Sequence, residues 1–415
     1  MFGKFIADRL CSGNNAGRGG TRPAIVIATV GVAMGLTVMI LSLAITKGFR
    51  NQVRDKVTGF TQDVQLVNYS SGMGDFELPV SCTPAVLEKL TDKEHISGAR
   101  RYVEKAGILR TDSAFNGFIL KGVGQEYDSS FLAGCLVEGS LPVFSDTASS
   151  GMLLLSGKLA DRLGLSTGDR VDAYFMQDRI RVRRMTVSGI YRTNFSEYDK
   201  VYAFSDIHTL QQLNGWEPYQ VTGVEMKAVG NDSENLYSAY QEARDVFDEV
   251  AGTTGEQYLI RTTEQINAGL FAWLDVLNVN VGVILLLMLG ISGFTMISGL
   301  LIIIFERTST IGLLKAMGSS DMTIRRIFLI IAARIVGRGM LIGDAIGIGV
   351  CFIQQRFHLI PLDSENYYLD SVPCELGLWW LLLLNVVMFV LSVLMLVGPS
   401  AVISRIEPSR SIRFD

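Results

Sequence analysis

The sequence predicts an α-helical membrane protein with four transmembrane helices and a large α+β domain inserted between the first two helices. Hydrophobic residues make up 48% of the 415 residues and charged residues 19%, with a mean hydropathy of +0.31. This composition is too apolar for an ordinary soluble globule. The apolar residues are concentrated in four long runs, and one long polar stretch lies between the first and second run.

Charge and cysteine usage exclude several classes of function. The net charge is −4 and the pI about 5.6. The chain therefore lacks the basic excess that neutralises nucleic-acid phosphates, and no nucleic acid is expected as a partner. The five cysteines are scattered, without a CxxC or a metal-ligand spacing. Neither a disulfide scaffold nor a zinc site is indicated.

The four apolar runs predict the transmembrane helices. Residues 24–45 form 22 positions without an ionisable side chain. At about 1.5 Å per residue they span the roughly 30 Å hydrocarbon layer, and the run is too long for a cleaved signal peptide. The third run contains Arg334, Arg338 and Asp344, so we expect it to pack inside a bundle. The predicted helices are 24–46, 276–305, 327–353 and 376–404.

The distribution of basic residues predicts the orientation of the helices. Residues 1–22 carry four basic side chains and one acidic, whereas residues 354–375 carry one basic and four acidic. By the positive-inside rule both termini lie in the cytoplasm. Three segments are then cytoplasmic and one is an external loop: the N-terminal segment 1–23, residues 306–326 between helices two and three (called the link below), the tail 405–415 and the external loop 354–375.

The polar stretch 47–275 is predicted to be an external α+β domain. It holds 23 of the 37 Lys and Arg residues and 31 of the 41 Asp and Glu residues, a net charge of −8. Segments of alternating apolar character and of helical periodicity occur together in it. The predicted strands are 63–67, 118–123, 170–175 and 181–190, and the predicted helices are 84–90, 158–163, 206–213 and 234–250.

At both borders of the domain the apolar residues keep a helical spacing. We therefore expect both membrane helices to continue outward as stalks. A mobile loop at each border is the alternative. The periodic positions are Phe49, Val53 and Val57 after helix one, and Ile266, Leu270, Leu274 and Leu277 before helix two.

Small residues and charges inside the membrane runs each leave two interpretations open. The stripes Gly31-x-x-x-Gly35 and Gly339-x-x-x-Gly343-x-x-x-Gly347 let helix backbones approach closely, within one chain or between two. Arg334 and Arg338 lie close enough to the cytoplasmic end to snorkel. Asp344 lies deeper, and is either a transport residue or a buried polar contact.

No catalytic constellation is present in the sequence. The three histidines form no HExxH or metal-ligand pair, and there is no GxSxG motif. The run from Gly151 to Lys158 is the nearest approach to a phosphate loop, but five residues separate its glycines and Leu159 replaces the Ser/Thr. We interpret it as a strand running into a helix. The chain is therefore expected to be non-enzymatic, with no catalytic residue, cofactor or bound metal of its own.

The sequence of the link predicts a short helix between two membrane spans. Ile311, Leu314 and Ala316 or Met317 form one apolar face, Gly318 ends the helix, and residues 319–321 cap the following one. Such a helix would lie along the membrane surface. It suits docking into a groove of another protein, and a plain connector resting on lipid headgroups is the alternative.

The link sequence ERTSTIGLLKAMGSSDMTIRRIF resembles the cytoplasmic coupling segment of ABC permeases of the FtsX, MacB and lipoprotein-releasing (LolC/LolE) superfamily. Further segments resemble the lipoprotein-releasing branch in particular, and together they cover nearly the whole chain. These segments are 5–10, 153–169, 187–191, 197–199 and 405–413.

The resemblance implies a bacterial inner-membrane dimer in which the inserted domain is periplasmic and MacB-like. Two permease chains, identical or different, would work with two copies of a separate ABC ATPase that uses ATP and magnesium. The motion would release lipoprotein cargo from membrane lipids to a periplasmic carrier. By matching position, the ATPase contacts would be Glu306, Arg307, Ile311, Gly312, Leu314, Lys315 and Gly318, and the lipid or lipoprotein cavity between helices one and two of opposing subunits would involve Met34, Val38, Leu41, Ile45, Leu270, Leu274 and Leu277.

The sequence departs from this family at two places. Only residues 176–180 stand where the LolC subunit has a long carrier-binding hairpin, and Arg334 and Arg338 exceed the usual polarity of the third helix. A LolE-like partner or a homodimeric form is therefore implied. The alternatives are a MacB-like efflux permease, an FtsX-like mechanotransmission permease, and, from another class, a non-energised membrane sensor or structural protein.

Overall fold

A computed structural model of the chain describes residues 21–72, 78–176, 179–230 and 233–400. The predicted tail 405–415 and nearly all of the N-terminal segment 1–23 lie outside these residues. The chain divides into two compact units. The first, the membrane unit, comprises the described residues up to Asn51, Trp273–Pro361 and those from Ser371 onward. The second, the domain unit, comprises Gln52–Ala272 and Leu362–Asp370.

Four of the described helices are long and apolar enough to cross a membrane, which confirms the predicted fold class. The remaining helices are short, apart from one of 22 residues in the domain unit. In chain order the helices are α1 (Thr21–Thr61), α2 (Pro84–Thr91), α3 (Ser130–Gly134), α4 (Gly157–Leu163), α5 (Ser196–Asp199), α6 (Ile207–Asn214), α7 (Ser233–Thr254), α8 (Thr263–Ile266), α9 (Ala268–Glu306), α10 (Thr308–Ala316), α11 (Asp321–Phe357), α12 (Ser364–Tyr367) and α13 (Leu378–Ser400).

The strands lie in the domain unit and form two sheets. Along the chain, helices are interspersed between the strands. The larger sheet has ten strands in the order β12-β1-β11-β3-β4-β9-β6-β8-β5, with β7 paired to β3 and β8, and the smaller sheet pairs β10 with β2. The strands are β1 (Val64–Asn68), β2 (Val80–Ser81), β3 (Ile96–Arg110), β4 (Phe115–Val123), β5 (Leu136–Gly139), β6 (Met152–Ser156), β7 (Arg170–Phe175), β8 (Arg181–Tyr191), β9 (Tyr202–Asp206), β10 (Gln220–Val221), β11 (Gly223–Ala228) and β12 (Tyr258–Thr262).

Helix α1 has 41 residues, about 60 Å at the helical rise, which is twice the thickness of the hydrocarbon layer. Phe49, Val53 and Val57 are buried along it, and the helix runs past the predicted span 24–46 as far as Thr61. Helix α9 also continues past its predicted span, but it begins at Ala268. Ile266 instead ends the separate short helix α8, because its C-cap Asn267, with φ of −105° and ψ of 40°, leaves the helical conformation before α9 begins.

The glycine stripes pack within the chain. A Cβ on Gly31 would lie 2.5 Å from Thr295 Cγ2 of α9, and a Cβ on Gly343 would lie 2.8 Å from the carbonyl oxygen of Ala33 of α1. Both distances are shorter than real Cβ contacts allow, so only glycine permits these helices to approach so closely. Of the two interpretations left open by the sequence, the structure shows intra-chain packing. Gly35 against Ser292 and Gly339 against Val32 behave in the same way, and a Cβ on Gly347 would lie at a tight 3.2 Å from Ile40.

The predicted strands and helices of the domain are confirmed, and several strands were missed. The run from Gly151 to Lys158 is strand β6 followed by α4, with the Ser156 side chain accepting a hydrogen bond from the Leu159 N–H. The longest missed strand is β3, in which Arg100, Arg101 and Lys105 are buried. Because these charges have partners inside the domain, β3 shows no alternation of apolar and polar residues.

Candidate functional site

The link folds as a short helix between two membrane helices. Helix α9 ends at Glu306 and α10 follows after Arg307. Gly318 has φ of +86°, a left-handed conformation that glycine adopts without strain and that ends the helix. Ser320 then caps α11 by accepting a hydrogen bond from the Thr323 N–H. The predicted helix, its glycine stop and the cap of the next helix are all confirmed.

The two faces of α10 lie in different environments. Ile311, Gly312 and Leu314 are buried, and Ile311 has no exposed surface. They belong to the bundle core together with Ile324 and Phe328 of α11. The face formed by Ile311 and Leu314, which the sequence suggested for docking, is therefore turned into this chain, and a partner protein cannot contact it in this arrangement.

The exposed apolar side chains of the link and its flanking turns include Met317, which the sequence offered for the docking face, and three residues that sequence reasoning missed. We call this set the link patch. Leu313 lies on α10 and Met317 is its C-cap, one turn further on, and that i, i+4 spacing is the signal that was available in the sequence. The link patch comprises Phe305 (64% exposed), Leu313 (54%), Met317 (65%) and Met322 (70%).

The charged residues of the link are partly engaged within the chain. Lys315 Nζ lies 3.0 Å from Asp321 Oδ1, and only 11% of the Lys315 side chain is exposed. Asp321 lies in the first turn of α11, where a negative charge favours the helix dipole. Glu306 and Gly318 are exposed, and Arg307 is half-buried. Of the predicted contacts, only these three, with part of Lys315, face outward.

The predicted lipid-cavity residues, which the resemblance places between two chains, differ in burial within one chain. Met34 is 68% exposed on α1, whereas Leu274 is 1% exposed. Leu270 packs against the aromatic cluster of the domain unit, which includes Phe60 and Tyr198. Val38, Leu41, Ile45 and Leu277 are half-buried on α1 and α9.

A groove of about 290 Å³ lies between α1 and α9 in the membrane unit, lined by residues that the sequence did not single out. The lining is Ile27, Phe294, Thr295, Ser298, Gly299 and Ile302.

Asp344 makes a polar contact between two membrane helices. Asn385 Nδ2 of α13 donates a hydrogen bond of 2.9 Å to Asp344 Oδ1 of α11, and Asp344 is half-buried. This geometry agrees with the polar-contact interpretation. Arg334 is half-buried and Arg338 is exposed. Helix α11 begins at Asp321, before the predicted start of the span at residue 327. Both arginines therefore lie farther from the start of the helix than the sequence suggested.

A buried charge cluster binds the last turn of α1 in the domain unit. Lys121 Nζ lies 2.5 Å from Glu225 Oε1 and donates a 2.8 Å hydrogen bond to the Phe60 carbonyl oxygen. Arg100 Nε lies 2.7 Å from Glu225 Oε2, and Arg100 Nη2 donates to the same carbonyl at 3.1 Å. Carbonyls of the last helical turn lack partners within the helix, and cations are favourable there.

The cluster fixes the ionisation of Glu225. Burial alone would raise the pKa of Glu225, but the adjacent cations of Lys121 and Arg100 outweigh burial and hold this pKa below its ordinary value of 4.5. The carboxylate therefore stays charged and the cations stay compensated. Sequence reasoning missed this cluster because nothing in the local pattern marks these charges as buried.

The connection between β7 and β8 is short, as the sequence predicts. β7 ends at Phe175 and β8 begins at Arg181. Met176 and Ile180 at its base are 74% and 65% exposed. Among the described residues, no group of three or more His, Cys, Asp and Glu side chains is placed to hold a metal ion.

Two family models match the chain and between them cover most of its length. The MacB-like periplasmic core domain matches residues 25–271, and the FtsX-like permease C-terminal region matches residues 282–408. The first match spans more than half of the chain.

Individual relatives match along nearly the full length at low identity. The lipoprotein-releasing system transmembrane protein LolC of Xylella fastidiosa (strain Temecula1) is 24% identical over 405 residues, covering 93% of this chain and 92% of the relative. The corresponding protein LolE of Haemophilus influenzae is 20% identical, covering 92% of each chain. Among solved structures, the periplasmic region of MacB from Actinobacillus actinomycetemcomitans is 10% identical with a TM-score of 0.35, covering 51% of this chain and 92% of that one.

Proposed function

The chain belongs to the family of ABC transporter permeases with a MacB-like periplasmic core domain and an FtsX-like permease C-terminal region, and from this premise we propose that it transmits ATPase-driven motion to release lipoproteins from the inner membrane. It is a membrane-spanning subunit with a periplasmic domain between its first two membrane helices. The ATPase is a separate chain in this proposal, and the permease itself is non-catalytic.

The observation that carries the proposal is the two-faced helix α10. Ile311 and Leu314 anchor α10 in the bundle core next to α11, while Leu313 and Met317 remain exposed. A force applied to Leu313 and Met317 by a docked protein acts on a helix that cannot move without its neighbours, because cores are close-packed. An apolar helical face of this kind fits a groove on a partner.

In the proposed mechanism, the long helix α1 transmits the motion away from the link. Its last turn is held by Arg100 and Lys121 through the Phe60 carbonyl oxygen. Helix α1 is continuous over 41 residues, and we expect a shift of its membrane segment to be passed along this helix. Lipoprotein extraction requires work of this kind against about 0.8 kcal/mol for each buried CH₂ group of the acyl chains.

The cargo is inferred from the relatives. Several relatives that cover more than 90% of the chain carry lipoprotein-releasing names. We extend that cargo class to this chain, together with a second permease chain, identical or different, and a periplasmic lipoprotein carrier. Because the connection 176–180 is short, the carrier is proposed to dock elsewhere on the domain than on a β7–β8 hairpin.

Purification from native membranes tests both parts of the proposal. The permease is expected to co-purify with an ABC ATPase and with lipid-modified proteins. Leu313→Asp and Met317→Asp should reduce permease-stimulated ATP hydrolysis about tenfold or more, whereas Phe115→Asp, an equally drastic change at a domain residue that is 78% exposed, should leave it unchanged. Unaltered hydrolysis in both link variants would refute the docking role of the link patch.

A MacB-like efflux permease is the second candidate, favoured by the match of residues 25–271 to the MacB-like core domain. The two candidates differ in what travels with the complex. Lipid-modified proteins bound to the purified complex support lipoprotein release. A complex that stimulates its ATPase but binds none of them, and responds instead to small apolar compounds, supports efflux. A chain that purifies without any ATPase is a sensor or structural protein.

A further inference from the structure

Two cysteines meet at the end of the membrane unit where α1 leads into the domain unit. Cys351 of α11 has no exposed surface and Cys374, in the loop before α13, is 5% exposed. Both pack into one small cluster with Ala44 of α1, and both are free thiols in this structure.

The surrounding contacts fix Cys374 in this place. The Gln355 side-chain amide, one turn after Cys351 on α11, donates a hydrogen bond to the Cys374 carbonyl oxygen. The next residue, Glu375, donates its backbone N–H to the Ala44 carbonyl oxygen at 3.0 Å and forms an ion pair with Lys47 at 3.0 Å. The base of the loop is thus held against both helices, and Cys374 stays in the same buried cluster as Cys351.

The other described cysteines have no such neighbour. Cys82 belongs to the main core of the domain unit and Cys135 packs against its aromatic cluster. Cys11 lies outside the described residues. The sequence spacing gives no sign of the pairing, because Cys351 and Cys374 are separated by the turn that follows α11.

We propose that Cys351 and Cys374 form an intramolecular disulfide in the mature protein. The inference rests on the periplasmic placement of the domain in the proposed function, since this end of α1 then faces the oxidising compartment. The bond joins the end of the loop to α11 and closes a covalent ring around the turn between them. Its expected effect is to keep the loop base closed while α1 and α11 move.

The chemistry balances through exchange with a donor of the dithiol–disulfide oxidase class. The Cys374 thiolate attacks the disulfide of the donor, and a mixed disulfide forms while one donor thiolate leaves. The Cys351 thiolate then attacks the Cys374 sulfur, which releases the second donor thiolate. Two electrons pass from the two cysteines to the donor, which is reduced to its dithiol, and the two protons lost by the cysteines go to the donor thiolates. Because both cysteines are buried in the folded chain, exchange takes place before the loop docks.

Counting free thiols tests the proposal. The full-length protein is quenched in acid and denatured in an alkylating reagent without reductant, and the intact mass is measured. Of five cysteines, three are expected to be alkylated, and all five after reduction. Cys351→Ser removes one cysteine and frees its partner, so all four remaining cysteines should react. Cys82→Ser, the matched control, leaves the proposed bond intact, so two of four should react. Five reactive thiols in the unreduced wild-type chain, or two in Cys351→Ser, would overturn the disulfide.

A second label separates failure of the disulfide from failure of the proposed function. Ser113, in the exposed turn between β3 and β4, is replaced by Cys and treated with a membrane-impermeant maleimide from the periplasmic side. Labelling together with three reactive native thiols supports both proposals. Labelling together with five reactive native thiols overturns the disulfide and leaves the proposed function standing. Absence of labelling contradicts the periplasmic placement and with it the proposed function.

Discussion

Ile311 and Leu313 are two residues apart on α10 and have opposite environments. Ile311 has no exposed surface, whereas Leu313 is 54% exposed. The helix therefore uses one face to join the bundle and leaves the other for a partner. This division separates the residues that hold the link in place from those that are available for docking, although all of them are apolar.

Alanine substitutions at these two positions are expected to act on different properties. Ile311→Ala should lower the free energy of unfolding by about 2–5 kcal/mol, since it leaves a cavity in the bundle core. Leu313→Ala should change it by no more than about 0.5 kcal/mol and reduce ATPase stimulation instead. Thermal unfolding in detergent, measured beside stimulated ATP hydrolysis, checks both. Equal stability of the two variants would contradict the burial of Ile311.

Neutralising Glu225 is expected to destabilise the domain unit. Glu225→Gln leaves Lys121 and Arg100 buried without a counter-charge, and removing one partner of a buried ion pair costs about 3–5 kcal/mol. The fluorescence of Trp216, which packs against the domain core, reports the transition. The surface pair Lys89–Glu249, with both side chains more than half exposed, supplies the control: Glu249→Gln should leave the unfolding temperature unchanged.

The lowered pKa of Glu225 predicts that the difference in stability between wild type and Glu225→Gln depends on pH. The pKa of Glu225 is lower in the folded domain than its ordinary value of 4.5. The folded domain therefore binds fewer protons than the unfolded domain as the pH falls through this range. Its stabilisation is complete above pH 4.5 and is lost as the pH falls through the folded-state pKa. Unfolding temperatures of wild type and Glu225→Gln should therefore converge as the pH is lowered below that value. A constant difference down to the lowest pH would show that the charge is not the cause.

A methyl group added to α11 should have opposite effects at two glycines. Gly343→Ala places a Cβ 2.8 Å from the Ala33 carbonyl oxygen and should separate α11 from α1. Gly349→Ala meets no atom within 4 Å and should stabilise the helix by up to about 1 kcal/mol. The fraction of monodisperse protein after heating in detergent distinguishes them. Equal heat resistance would mean that the stripe does not pack within the chain.

Two substitutions at Asp344 test whether the release of lipid-modified proteins requires a negative charge at this position. Asp344→Asn keeps an oxygen that accepts the hydrogen bond from Asn385, so a polar contact is preserved and release of lipid-modified proteins should stay within about twofold of wild type. Asp344→Leu removes one of the two acceptors of the Asn385 amide, which keeps only the Leu381 carbonyl oxygen, and should impair folding by about 1 kcal/mol. Complete loss of release in a well-folded Asp344→Asn protein would instead assign an ionisable role to Asp344.

Whether a feature can be predicted from the sequence depends on how far apart in the chain the residues lie that determine it. The short segments with strict periodicity, such as β7 and α6, are recognised because each side chain reports its own exposure. The missed strand β3 carries Arg100, Arg101 and Lys105 on buried faces, and their burial depends on partners far along the chain such as Glu225 and Glu126. Periodicity cannot reveal a buried charge whose partner lies on another strand.

The sequence by itself determines the four membrane spans, the inserted α+β domain and the short helix of the link, since hydropathy, spacing and capping are local properties of consecutive residues. The tertiary structure decides which face of α10 is exposed, which helix each glycine meets, and which charges and thiols come together. Those outcomes depend on the approach of segments that are distant in the chain, where the free energy of burial and pairing outweighs any local preference.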